Sequence, residues 1–156
     1  MSNSTWSVMP VDPLLDLPGY LLRRASQAWL GDLARRLTPL GLRPAEASVL
    51  AVIEANARIS QSEVSRLLGI ATANLPPLIA RLDERGLIER QQVDGRMQHL
   101  KLSAKGRTLT KSVLQAMRAH EDELIARVPP HLRKAFSEAL SALAKSHRLA
   151  RNRPTQ

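Results

Sequence analysis

At 156 residues the chain has room for one domain, or for one domain plus arms that pair it with a copy of itself. It has no cysteine, which excludes disulfides, thiolate metal sites, cysteine nucleophiles and thiol redox sensing. Its 23 Lys+Arg against 14 Asp+Glu give a net charge of +9, a balance suited to a polyanionic partner.

Residues 1–19 place Pro10, Pro13 and Pro18 among small and polar residues, the pattern of an extended arm. This N-terminal stretch has Asp12 and Asp16 and no basic leader, and no apolar run in the chain approaches the roughly 20 residues of a membrane span. A soluble cytoplasmic protein is the expectation. From Tyr20 to about Thr38, Leu22, Ser26, Trp29, Leu33 and Leu37 recur at spacings of three and four, which predicts a helix ended by Pro39 and Gly41. Pro44 suits the first turn of a second helix through Leu50, Ile53 and Glu54. Ser60-Gln61-Ser62-Glu63 has capping-box spacing and opens a short third helix that stops at Gly69.

A fourth helix runs to Arg85 and is terminated by Gly86, but its start contains Pro76 and Pro77. Capped at Ala71, it would lose an intrahelical bond at each proline, about 3 kcal/mol apiece. Capped at Asn74, it would carry them at its second and third positions, where the N–H is unpaired anyway. The second arrangement costs less, although residues preceding proline resist helical geometry, so a distorted first turn is expected. Leu75, Leu78, Ile79 and Leu82 form its inward face, and Ala73, Pro77, Ala80, Arg81 and Glu84 point outward.

Residues 87–93 and 97–102 flank Asp94-Gly95-Arg96 as a two-stranded hairpin. Ser103 caps a long helix whose stripe is Leu109, Val113, Met117, His120, Leu124 and Val128; Pro129-Pro130 separates it from a last helix bearing Leu132, Phe136, Leu140 and Leu143. Such stripes on the terminal helices of so short a chain call for a partner surface. The fold expected is mainly α: a winged helix-turn-helix with a small β-hairpin wing and N- and C-terminal dimerisation helices. It divides into an extended arm (1–19), dimerisation helices (20–41 and 103–150), a DNA-binding lobe (42–102) and a basic tail (151–156). Positive charge concentrates in the lobe and beyond. Residues 1–57 are neutral overall, whereas residues 58–107 carry nine basic against five acidic groups and residues 108–156 nine against four.

From Leu42 to Leu109 the sequence resembles the MarR family of bacterial transcription regulators, through ISQSEVSRLLGI, RLDERGLIER, the wing DGR and LKLSAKG. The resemblance implies a homodimer with two lobes reading double-stranded DNA, and often a small effector bound between dimer helices and lobe. Relatives commonly present Ser, Thr or Arg where Pro76 and Pro77 stand. The peroxide-sensing branch has a similar Leu-x-Pro but works through a cysteine absent here.

On the recognition helix, Thr72 is a phosphate ligand by expectation, and Asn74 is either a helix cap or an adenine reader. Ala73, Pro76 and Pro77 offer methyl contacts and shape readout, with Arg81 beside them. Arg96 at the wing tip, oriented by Asp94, suits a narrow minor groove. Arg66, Arg90, Lys101 and Lys105 are candidate phosphate neutralisers. For an effector, an aromatic acid or aromatic acyl-CoA, the candidates are Tyr20, Arg23, Arg24, Trp29 and His120.

No metal site is expected, since His99, His120, His131 and His147 are dispersed. No cofactor and no catalytic set are expected either, because nothing in the sequence pairs a nucleophile with a base or forms a phosphate loop. A repressor released by its effector is the leading reading. A DNA-binding protein without an effector, and a winged helix used for protein contact, remain as alternatives.

Overall fold

The computed structural model describes residues 11–93 and 97–151. The wing tip with Asp94 and Arg96, the first ten residues and residues 152–156 lie outside that range. Helices α1 (Pro18–Leu37), α2 (Pro44–Glu54), α3 (Gln61–Leu68), α4 (Leu75–Glu84), α5 (Ala104–Arg127) and α6 (Arg133–Arg151) follow one another, with strands β1 (Ile59–Ser60), β2 (Ile88–Val93) and β3 (Met97–Leu102) between α2 and α5. The chain divides into two compact units, Met1–Asp32 and Leu33–Gln156.

In the first unit the expected extended arm is replaced, over residues 13–16, by a turn, and Pro18 and Gly19 belong to α1. The carboxylate of Asp12 explains the difference. It accepts the Leu14 N–H at 3.0 Å and the Tyr20 hydroxyl at 2.6 Å, closing the turn onto the start of the helix. These same two bonds, the Tyr20 hydroxyl first, hold the Asp12 carboxyl below the usual carboxylate range.

The second unit holds the core. Leu37, Val49, Leu50, Val64, Ile79, Leu82, Leu87, Leu100 and Val113 are fully buried, drawn from five helices, the sheet and the loop before it. Each such side chain contributes about 1.5 to 3 kcal/mol by leaving water. This core extends past residues 42–102, taking in the last turns of α1 through Leu33 and Leu37 and the first half of α5 through Val113.

Local signals fix the element starts. The Arg43 N–H donates to Glu46 at 2.8 Å and Pro44 occupies the first turn of α2. Ser60 and Glu63 satisfy each other's backbone N–H at the head of α3, and Gly69 ends that helix at φ 65°. Ser103 caps α5 by accepting the Gly106 N–H at 2.9 Å. The sheet is antiparallel in the order β1-β3-β2, with Ile59 opposite Leu100 and Ile88 opposite Leu102. The two strands of the hairpin pair as read from the sequence, the first starting one residue later at Ile88, whereas β1 was not foreseen, since two residues carry no alternating pattern. Ile59 precedes the capping serine, and it and Val64 both enter the core, at the positions of a hydrophobic staple for α3.

Candidate nucleic-acid interface

The helix α4 begins at Leu75 with Asn74 in the cap position, so Pro76 and Pro77 are its second and third residues. The strain of the first turn is taken up beforehand. Thr72–Asn74 form a 3-10 turn in which the Asn74 N–H donates to the Ala71 carbonyl at 2.8 Å. Asn74 caps by position only, because its side chain makes no capping hydrogen bond. Leu75 adopts helical geometry although it precedes a proline, and it is held there by burial, at 1 % exposure.

The inward face of α4 is the expected one. Leu75, Ile79 and Leu82 are buried and Leu78 packs against the core, which leaves Thr72, Ala73, Asn74, Pro76 and Pro77 exposed together at the head of the helix. That surface is apolar apart from one hydroxyl and one amide.

Arg81 departs from the expected outward position. It is half-buried, and its Nε donates to Glu46 Oε1 at 2.8 Å, tying α4 to α2. Burial raises the pKa of Glu46, but the Arg43 N–H and the Arg81 guanidinium together outweigh it and hold the carboxyl below its usual range. The pair is thus a strut inside the lobe. Sequence patterning missed it because a carboxylate on one helix and a guanidinium 35 positions later share no period.

The remaining basic candidates are placed as follows. Arg66 is exposed on α3. Arg90 meets Asp83 at 2.9 Å, and Lys101 meets Glu89 at 2.9 Å across the β2–β3 ladder. Both pairs are well exposed, so each holds its cation by only about 0 to 1 kcal/mol. Lys105 donates to the Arg85 carbonyl at 2.8 Å, at the far end of α4.

Among the effector candidates, Tyr20, Arg23 and Arg24 form one cluster. The two guanidinium carbons lie 5.1 and 5.7 Å from the Tyr20 ring centroid, and Arg24 also meets Asp12 at 3.3 Å. Trp29 is partly buried in α1, and His120 is fully buried in α5, with Nδ1 3.7 Å from Glu121.

A sequence model described as MarR family matches residues 40–97. The structure of the transcriptional repressor CouR bound to a 23-mer DNA duplex is similar with a TM-score of 0.80 and 30 % identity, over 88 % of this chain and 99 % of that one. The chain belongs to the MarR family. The CouR structure bound to p-coumaroyl-CoA matches with a TM-score of 0.78 and 30 % identity, over 87 % of this chain and 97 % of that one. The HTH-type transcriptional repressor Rv2887 of Mycobacterium tuberculosis is 26 % identical over 127 residues, covering 80 % of this chain and 91 % of that protein. As a MarR family member the protein is a winged helix-turn-helix transcription regulator. Among the described residues no helix is long and apolar enough to cross a membrane.

Proposed function

We propose that the protein is a homodimeric repressor that reads a pseudo-palindromic operator with α4 and the wing, and is released by an aromatic acid or an aromatic acyl-CoA. The observation that carries the reading is the exposed head of α4, Thr72 to Pro77 with only Leu75 buried, at the place where the helix-turn-helix presents its second helix to a major groove. Shape and methyl contacts dominate its recognition, because Ala73, Pro76 and Pro77 have no hydrogen-bonding side chain. Asn74 is the adenine reader on that face and Thr72 a phosphate ligand. Arg66, Arg90 and Lys101 neutralise phosphates, and Arg96 of the wing, with Asp94 to orient it, enters the minor groove.

Pairing is supported by α6, whose Phe136 and Leu140 are half-buried and whose Leu143 is 55 % exposed, while no described residue of that helix joins the core. Such a stripe suits burial against a second copy. For the effector, the guanidiniums of Arg23 and Arg24 offer charge to a carboxylate or to coenzyme A phosphates, and Trp29 offers an aromatic wall. Support also comes from CouR, a repressor of the same family whose structures hold DNA in one case and p-coumaroyl-CoA in another.

The test is a titration of the DNA upstream of the protein's own gene, with and without a panel of aromatic acids and their coenzyme A thioesters. Tight binding reversed by one panel member, with quenching of tryptophan emission at the same concentration, is the expected result. Binding that no panel member weakens would leave a DNA-binding protein without an aromatic effector.

A further inference from the structure

Arg85 closes α4, and three elements meet on it. Its Nη1 donates to the Gly41 carbonyl at 2.6 Å and its Nη2 to the Leu40 carbonyl at 3.3 Å, both at the corner between α1 and α2. Its own carbonyl accepts from Lys105 at the start of α5. The next two residues are gripped from the same side. The Ser103 hydroxyl donates to the Gly86 carbonyl at 2.7 Å and the Ser103 N–H to the Leu87 carbonyl at 3.1 Å. The corner is shaped around the guanidinium. Gly41 has φ 65°, and a Cβ there would stand 3.2 Å from Arg85 Nη2.

Leu82 and Leu87 anchor this end in the core, and the bond pair adds a direction to that anchorage. Open depressions of about 330 and 470 Å³ are both lined by Arg85, so its side chain lies at the surface of the lobe and not in the core. Without the bridge, the direction of this end would rest on Leu82, Leu87 and the Ser103 and Lys105 bonds alone. A helix of 10 residues is about 15 Å long, so a tilt of about 5° at this end carries the exposed head through about 1 Å, enough to spoil hydrogen-bond and groove geometry.

We propose that Arg85 is a positioning residue for DNA reading, locking the end of the recognition helix to the α1–α2 corner so that the exposed head of α4 meets the groove at one fixed angle. This role rests on the DNA-reading function proposed above. It also assigns a route by which movement of α1 or α5 would reach the recognition helix, since Leu40 and Gly41 follow the end of α1 and Lys105 lies in the first turn of α5.

The experiment compares wild type with Arg85→Gln and Arg85→Lys. The probes are a duplex selected by the wild-type protein from a randomised pool and a scrambled duplex of equal length, each titrated over a range of salt. Amide exchange of the free proteins is measured alongside. Removing a charged donor from carbonyl acceptors should lower affinity for the selected duplex about tenfold in Arg85→Gln. Scrambled-duplex affinity and the salt slope should stay unchanged, and exchange should quicken in α4 but not in α2. Arg85→Lys, which keeps the charge and loses the fork, should show the same selective loss in weaker form, and it serves if the glutamine variant does not fold. A loss on both duplexes, with a salt slope reduced by about one per lobe, would make Arg85 a phosphate contact and overturn the proposal. Unchanged selected-duplex affinity in both variants would overturn it as well. If the wild type selects no duplex at all, the DNA-reading function itself falls, and this role falls with it.

Discussion

The Glu46–Arg81 pair is the clearest case of one interaction serving two ends, because it joins α2 to α4 and settles where a basic side chain of the recognition helix points. With the pKa of Glu46 depressed in the fold, its stabilising contribution is complete above the ordinary glutamate pKa and is lost as pH falls through the lower folded value. Glu46→Gln should therefore cost about 1 to 2 kcal/mol at neutral pH, a figure reduced for the exposure of Arg81, and should flatten the loss of stability below pH 5. Urea titrations of both proteins at pH 7 and pH 4 check this. Equal acid sensitivity would assign the effect to other carboxylates. Arg96 belongs to the proposed interface rather than to the described fold, so its test is functional. Arg96→Ala should weaken operator binding and lower the slope of log K against log salt by about one unit per lobe, read from filter binding at several salt concentrations.

For the elements, the start of α4 carries the most information. Prolines at the second and third helical positions remove N–H groups that have no intrahelical acceptor, so their cost in the fold is small. Pro77→Ala should change stability by less than about 1 kcal/mol, chiefly through the unfolded chain. A gain near 3 kcal/mol in thermal melts would instead mean that the proline breaks a real helical bond. The opposite sensitivity is expected at the start of α5. A Cβ on Gly106 would lie 1.9 Å from the Leu87 carbonyl oxygen, a backbone atom that cannot step aside alone. Gly106→Ala should destabilise by on the order of 3 kcal/mol, visible as a lower urea midpoint, because the α5 start must lift from the α4–β2 junction.

At the scale of the molecule, the core gathers residues from α1 through α5 and none of the described residues of α6, so pairing and lobe stability should separate. Leu140→Glu, in the middle of the α6 stripe, is expected to shift the protein from dimer to monomer in sedimentation while the lobe keeps its melting transition. A dimer of unchanged affinity would move the interface elsewhere. Salt dependence would report the same change, since a monomer engages one half-site and about half the phosphates.

Helix starts and stops were legible in the sequence because they rest on short-range chemistry. The Ser60–Glu63 box, Gly69, Pro44 and Ser103 each satisfy or terminate backbone groups within four residues, so the signal and its structural effect lie together in the chain. The inward face of α4 followed from periodicity, and the paired strands from the Gly-containing turn signal between them, for the same reason. The destinations of charged side chains were not legible. Arg81 reaching Glu46, Arg85 reaching Gly41 and Arg90 reaching Asp83 span 35, 44 and 7 positions, and in the sequence each looks like any solvated arginine. A guanidinium on a flexible stem takes whichever acceptor the packed elements bring near, and that choice exists only after α2, α4 and the α1–α2 corner have met.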